Sequence, residues 1–167
     1  MKKIIIVGPE STGKSTLTQQ LAKHFNCDFI PEYAREYISK LEREYEEDDI
    51  LAIAKKQYEL QKEYSSKNDF VFIDTDLIVC KIWSQFKYGR CNPWILEQLS
   101  NTQDCYYLVC DIDLPWQKDK QREHPYQRDE IFQLYLSEMR EKNYQFSIVS
   151  GLKNERLQSA VNIVNSL

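Results

Sequence analysis

This sequence predicts an α/β fold of three layers, a five-stranded parallel sheet with helices on both faces, and three observations predict it. Short apolar runs alternate with helical patterns along the whole chain. The β-branched run Lys3-Ile4-Ile5-Ile6-Val7 stops at Gly8, and Leu17, Leu21 and Phe25 then recur at helical spacing. At 167 residues, with no linker, repeat or low-complexity tract, the chain is long enough for one sizeable core and too short for two. We therefore expect one domain over residues 1–167.

Between the first strand and the first helix lies Gly8-Pro9-Glu10-Ser11-Thr12-Gly13-Lys14-Ser15, the pattern of a phosphate-binding loop. The pattern carries meaning only where a strand precedes it and a helix follows, and both conditions hold. Glycines at its ends let the backbone curl with its N–H groups turned inward, an anion nest at the positive end of the helix dipole. The chain has four glycines, and two of them stand where the loop needs them. An ordinary strand–turn–helix junction accounts for the glycines but not for Lys14, a point charge for β- and γ-phosphates, or Ser15, a hydroxyl for magnesium. Gly8, Glu10, Ser11, Thr12, Gly13, Lys14, Ser15 and Thr16 are accordingly expected to bind the nucleotide. No guanine-reading Asn-Lys-x-Asp occurs, so the expected ligands are ATP and Mg2+.

After the first helix, Asn26-Cys27-Asp28 turns the chain into a brief second strand, Phe29-Ile30, ended by Pro31. From Ala34 the residues Tyr37, Ile38 and Leu41 fall at helical spacing, which holds Glu32, Tyr33, Arg35 and Glu36 around a strand end. Ligands of α/β proteins bind at such carboxyl ends. The acidic run 42–49, interrupted by Arg43 and Tyr45, reads as a solvated connection. A helix follows, capped by Asp48 or Asp49, with Ile50, Ile53, Ala54 and Tyr58 inward. Phe70-Val71-Phe72-Ile73 is the third strand, and it delivers Asp74, Thr75 and Asp76 to the edge that holds the phosphate loop. Val79, Ile82, Trp83 and Phe86 fit a helix, and Asn92-Pro93 opens a short one through Trp94, Leu96 and Leu99. The fourth strand is Tyr106-Tyr107-Leu108-Val109-Cys110. Residues 111–128 are polar, without an apolar period, and a long irregular stretch of that kind is more often functional than not. Phe132, Tyr135, Leu136 and Met139 mark a further helix, Phe146-Ser147-Ile148-Val149 the fifth strand, and Leu157, Ala160, Val161 and Val164 the last helix.

The formal net charge of −4 disfavours a nucleic-acid partner, which would need a basic face, so the expected partner is a small molecule. Five cysteines, Cys27, Cys80, Cys91, Cys105 and Cys110, include no C-x-x-C pair and read as reduced, mostly buried thiols of a cytoplasmic protein. The chain enters its first strand at once and has no apolar run of membrane-spanning length, so neither export nor a membrane partner is expected.

A phosphate loop alone fits a kinase, a motor, a switch or a regulatory ATPase, and the other polar clusters must decide. Asp74, at the end of an apolar strand, stands where a carboxylate holds a metal-bound water, which makes Ser15 and Asp74 the expected metal residues. Asp76 reads equally as a substrate contact and as a helix cap before Leu77. Glu32 is placed to accept a hydroxyl proton as that hydroxyl attacks phosphorus, with Arg35 steadying charge, although an i, i+3 surface pair would look the same. Lys118, Lys120, Arg122 and Arg128 form a basic segment suited to closing over a nucleotide as a lid. His24 and His124 have no motif around them. Of Tyr33, Tyr37, Trp83, Phe86 and Trp116, no more than two are expected to touch a ligand.

The phosphate loop, the segment Glu32-Tyr33-Ala34-Arg35-Glu36, the strand end Asp74-Thr75-Asp76 and Pro115-Trp116-x-x-Asp119-x-x-Arg122, in this order, resemble the ribosylnicotinamide kinase domain of NadR proteins over essentially the whole chain. The resemblance implies a small P-loop kinase with strand order 2-3-1-4-5 and an arginine-bearing lid, carrying the γ-phosphate of ATP to the 5′-hydroxyl of nicotinamide riboside in NAD salvage. It implies phosphate contacts from Gly13, Lys14 and Ser15, substrate or base chemistry at Glu32, Arg35, Asp74 and Asp76, and lid contacts from Trp116 and Arg122. Taken with the residues themselves, the expected catalytic groups are Lys14, Glu32, Asp74 and Arg122, with Arg122 and Arg128 joining the loop on the nucleotide. Tyr33, Arg35, Asp76, Trp83 and Trp116 join Glu32 as substrate contacts. Pro31 stands where the family has a tryptophan, so another ring must serve the substrate, and Lys120 replaces a glycine of the lid. The adenylyltransferase domain that precedes the family's kinase has no counterpart in these residues. The alternatives are a kinase of another nucleoside or nucleoside monophosphate, distinguished by the rings around Tyr33 and Trp83, and a regulatory ATPase indifferent to any acceptor.

Overall fold

The computed structural model describes residues 2–64, 70–101, 104–119 and 122–167. Within them the chain runs β1 (Lys2–Val7), α1 (Lys14–His24), β2 (Phe29–Ile30), α2 (Tyr33–Ser39), α3 (Glu47–Glu63), β3 (Phe70–Asp74), α4 (Leu77–Tyr88), α5 (Pro93–Ser100), β4 (Cys105–Cys110), α6 (Arg128–Glu141), β5 (Gln145–Val149) and α7 (Asn154–Asn165). The strands form one parallel sheet in the order β2-β3-β1-β4-β5, as the resemblance implies.

Apolar runs without polar alternation are what a sheet covered on both faces requires. Successive residues of β1 go to opposite layers. Ile5 and Val7, with Val71, Ile73, Tyr107 and Val109, join the core made with α3, α4, α5 and α6. Ile4 and Ile6, with Phe72, Leu108 and Cys110, pack against Leu17 and Leu21 of α1 and Val161 and Val164 of α7. All four β1 residues are fully buried, each contributing about 1.5–3 kcal/mol by leaving water. Lys81 and Glu138 form a buried ion pair that joins α4 to α6.

The register sets the site. Ile6 lies opposite Asp74, and Ile73 opposite Ile30, so Gly8, Asp74 and Glu32 emerge together at the carboxyl edge of three adjacent strands. Helix caps lock the exits. Asn92 Oδ1 accepts from Trp94 N at 3.0 Å with Pro93 in the first turn, as the sequence predicts.

Two expectations change. Helix α3 starts at Glu47, so its cap is Glu46 rather than Asp48 or Asp49. Asp49 sits inside the first turn instead, where its carboxylate reaches back to Glu46 N at 2.7 Å. The acidic run is also less solvated than it reads. Asp49 is buried, bound by Arg43 at 2.7 and 3.0 Å and by Tyr37 Oη at 2.9 Å, and the Arg43 guanidinium holds its carboxyl well below the usual range. Of the five cysteines, Cys80 and Cys110 are buried and the other three half-buried. Among the described residues no helix is long and apolar enough to cross a membrane.

Candidate active site

The phosphate loop is held open by its own side chains. Lys14 Nζ donates to Gly8 O and Pro9 O at 2.9 Å each, and the buried Thr12 hydroxyl donates to Pro9 O at 2.8 Å. Gly8 has φ +136°, and a Cβ on it would stand 2.8 Å from the Cys110 carbonyl oxygen, so only glycine lets the loop leave β1 this close to β4. Gly13, in the left-handed region at φ +76°, turns the chain into α1.

Arg156 supports the loop from below. Its guanidinium is buried and donates to Thr12 O at 3.0 Å, Gly151 O at 3.0 Å and Asp111 O at 3.3 Å while pairing with Asp113. One side chain thereby ties the loop to the ends of β4 and β5. Sequence reading passed over it, although Arg156 stands four residues before Ala160 on the apolar face of the last helix, where a charge signals a partner.

Residues 111–119 and 122–127 dock on Ser11 and Glu10. Gln117 N donates to Ser11 Oγ at 2.9 Å, and Glu10 Oε2 accepts from Glu123 N at 3.0 Å and His124 N at 3.2 Å. Arg122 donates to Gln117 O at 2.6 Å and reaches Ser11 Oγ at 3.4 Å, while its buried Nε has no hydrogen-bond partner. Arg128 is spent on the backbone carbonyls of Ser11, Ile112 and Leu114 at 3.2, 3.3 and 2.9 Å, with its guanidinium 5.9 Å from the centre of the Trp116 ring. It braces the loop instead of offering a free charge. Lys118 is exposed, and Lys120 lies outside the described residues.

Asp74 is 2 % exposed, and its Oδ1 has no hydrogen-bond partner. Burial, reinforced by the nearby Glu32 charge, pushes its carboxyl up to about 6 against the opposing pull of the Ser15 hydroxyl, Lys14 and Arg35. Thr75, which follows, has φ +67°, a strained conformation for a β-branched residue. It is held there by its N–H on Ile6 O at 3.1 Å and its carbonyl on Gln57 Nε2 at 3.4 Å. This turn sends the two aspartates apart. Asp76 is buried, caps α4 by accepting from Ile78 N at 3.0 Å, and accepts from the Tyr107 hydroxyl at 3.0 Å. Both its oxygens are engaged in the core, the geometry of the helix-cap reading.

Gln57 is a second polar residue on an apolar helix face. Its Oε1 accepts from Tyr33 N at 2.9 Å and its Nε2 donates to Pro31 O at 3.3 Å, so it grips the backbone on both sides of Glu32 while also holding Thr75. Replacing Gln57 by leucine strands these buried groups and is expected to lower unfolding stability by about 1–3 kcal/mol. Urea denaturation measures this, and unchanged stability would show that water replaces the amide.

Three cavities that adjoin the loop are lined by described residues. The first is the phosphate cradle, walled by Ser11 to Thr16 with Arg35 and Arg122 facing it. The second runs from Gly8, Lys14 and Glu10 past Glu32 and Arg35 to an apolar end made by Ile38, Val79, Ile82, Trp83, Phe86 and Ile131, with His124 and Tyr135. The third lies beyond Gly13 and Thr16, between Gln20, Leu114, Lys153 and Asn154. Glu32 and Arg35 do form the i, i+3 pair, at 3.0 Å, and both also line the second cavity. Of the five aromatic candidates, Trp83 and Phe86 line it. The Tyr33 ring is tilted against that of Tyr37 with centres 6.0 Å apart, and Trp116 lies 5.9 Å from the Arg128 guanidinium; neither lines these three cavities. His124, whose ring meets Phe86 edge-on at 4.9 Å, is a wall residue that no motif announced.

A protein-family model described as an AAA domain matches residues 3–156. The chain is similar to the trifunctional NAD biosynthesis/regulator protein NadR of Salmonella typhimurium, 29% identical over 155 residues that cover 87% of this chain and 37% of that protein. It thus spans about a third of the length of the curated relatives it matches. Its fold is similar to that of a NadR protein solved in complex with NR, with TM-score 0.81 and 23% identity over 99% of this chain and 50% of the other. It also resembles deoxyadenosine kinase from M. mycoides, with TM-score 0.68 and 13% identity over 99% and 100% of the two chains. These likenesses bear out the resemblance read from the motifs and give a P-loop NTPase fold of the nucleoside-kinase type.

Proposed function

Because this chain belongs to the AAA domain family of P-loop proteins, we propose that it is an ATP- and magnesium-dependent kinase that phosphorylates the 5′-hydroxyl of nicotinamide riboside to give nicotinamide mononucleotide. One observation carries the proposal. The phosphate cradle opens into a second chamber that has a carboxylate, Glu32, at its mouth and aromatic rings at its far end. A regulatory ATPase has no use for such a chamber, whereas a kinase must seat an acceptor beside the γ-phosphate.

In this reading Lys14, Arg35 and Arg122 neutralise the charge that spreads over the transferring phosphoryl group. Glu32 takes the acceptor's hydroxyl proton, and Arg35, paired with it at 3.0 Å, aims its carboxylate. Ser15 and Asp74 are the residues that would hold Mg2+, a fit supported by the unpartnered Asp74 oxygen beside the Ser15 hydroxyl. Bound there, the ion would neutralise negative charge on the transferring phosphates. Segment 111–127 serves as the lid, with Arg122 as its charged tip. The third cavity takes the adenine, between Gln20 and the β5–α7 turn at Lys153 and Asn154.

Trp83 and Phe86 take over the place of the family's tryptophan that Pro31 vacates. Their faces suit a cationic pyridinium ring, since a cation over an aromatic face gains about 0.5–2 kcal/mol. A second reading, a kinase of another nucleoside, is favoured by Pro31 itself.

The test is ADP release from MgATP with nicotinamide riboside, common nucleosides and nucleoside monophosphates added singly. Stimulation by nicotinamide riboside is expected, and Glu32→Gln should lower that stimulated rate about a hundredfold. Stimulation by a different nucleoside alone would install the second reading, and turnover indifferent to every acceptor would sink both.

A further inference from the structure

Tyr45, in the acidic stretch ahead of α3, is unused by the reaction just described, yet it is the meeting point of three segments. Its hydroxyl accepts from Trp83 Nε1 at 2.8 Å and donates to Glu123 Oε2. Its ring meets Trp83 edge-on at 4.7 Å, and Lys87 Nζ sits 3.7 Å from its centre and 3.4 Å from both Glu123 oxygens. From Glu123 the connection continues, because the N–H groups of Glu123 and His124 both go to Glu10 of the phosphate loop. Burial and the Glu123 carboxylate push the Tyr45 phenol up, so it stays a donor at physiological pH.

We propose that Tyr45 is a positioning residue that couples the aromatic wall of the second chamber to the segment closing over the phosphates, an inference that rests on the acceptor reading of that chamber. With Tyr45 in place, Trp83 has its one N–H donor committed and presents only ring carbon to an acceptor. Recognition at this wall is then by stacking and shape, not by a donated hydrogen bond. The same oxygen anchors Glu123. Seating residues 122–124 and fixing the Trp83 ring are therefore one event, and each favours the other.

Tyr45→Phe tests this, since it keeps the ring between Trp83 and Lys87 and removes a single oxygen. In the full chain without ligand, amide exchange at Glu123 and His124, followed by NMR, is expected to quicken about tenfold, the loss of one charge-assisted hydrogen bond. In the ADP-release assay the factor by which saturating ATP lowers the KM for nicotinamide riboside is expected to fall toward one, whereas general loosening would raise both KM values and leave that factor unchanged. Glu123→Gln weakens the same anchor from its other end and should quicken the same two amides, which keeps the test decisive if Tyr45→Phe does not fold. Unchanged exchange in both variants, or an unchanged effect of ATP on the KM for nicotinamide riboside in Tyr45→Phe, overturns the proposal. Should the unmodified protein respond to no acceptor, the kinase reading fails by itself and the exchange rates alone decide the role of Tyr45.

Discussion

Lys14→Ala is expected to turn over about a thousandfold more slowly than the unmodified protein, a barrier increase of about 4 kcal/mol, with its folding stability nearly unchanged. The asymmetry follows from what the ammonium touches. In the structure Lys14 Nζ rests on the carbonyls of Gly8 and Pro9, two loop residues that line the second cavity, where water can take the ammonium's place. Stability therefore loses little when the side chain goes. The loop itself stays curled, because Thr12 bridges it internally and Arg156 grips it from beneath. What is lost is a charge already held at the cradle, where a phosphate would take over from the two carbonyls, and whose attraction grows as negative charge spreads to the peripheral oxygens during transfer. Steady-state ADP release and a thermal melt, run on the same preparation, separate the two effects. Normal turnover in Lys14→Ala would exclude phosphoryl transfer at this loop.

How far the site could be read in advance depended on whether its parts are local. The strand–loop–helix around Lys14 is written in consecutive residues, and so are Glu32 and Asp74, each at the end of a short apolar run. The sheet register then brings them together. Gln57 and Arg156 left a weaker trace. Each is a polar residue at a core position of a helix, Gln57 at the spacing of Ile53 and Ala54, and that mismatch is the signal that a buried backbone group needs a partner. Tyr45 left none, since its partners lie 38 and 78 residues away and its neighbours are exposed charges. Asp76 was ambiguous for another reason. A cap and a ligand carboxylate look alike in sequence, and only the left-handed turn at Thr75 separates the two aspartates and leaves Asp76 capping α4 in the core.

That turn permits a second test with effects of opposite sign. Burial raises both Asp74 and Asp76 to about 6 from an ordinary value of 3.8. In the folded protein each therefore binds its proton more tightly than in the unfolded chain. The stability this contributes is fully present below about pH 4, falls as pH rises through 6 and is gone above it, leaving each ionised carboxylate a net cost of about 3 kcal/mol at pH 7.5. Replacing either by asparagine removes the charge and preserves the shape. At Asp76 the amide can still cap Ile78 N and keep contact with the Tyr107 hydroxyl, which rotates to accept. Asp76→Asn is expected to melt higher at pH 7.5 and to turn over within about twofold of the unmodified protein. Asp74→Asn is expected to melt higher too, but with activity reduced about a thousandfold, because the carboxylate that would hold the magnesium shell is gone. The unmodified protein should likewise need more Mg2+ as pH falls through about 6, where Asp74 protonates. Melting curves and Mg2+ titrations between pH 5 and pH 8 would measure all of this. Equal loss of activity in the two variants would return Asp76 to the site, and a lower melting temperature in Asp74→Asn would mean that its ionised carboxylate is paired inside the fold.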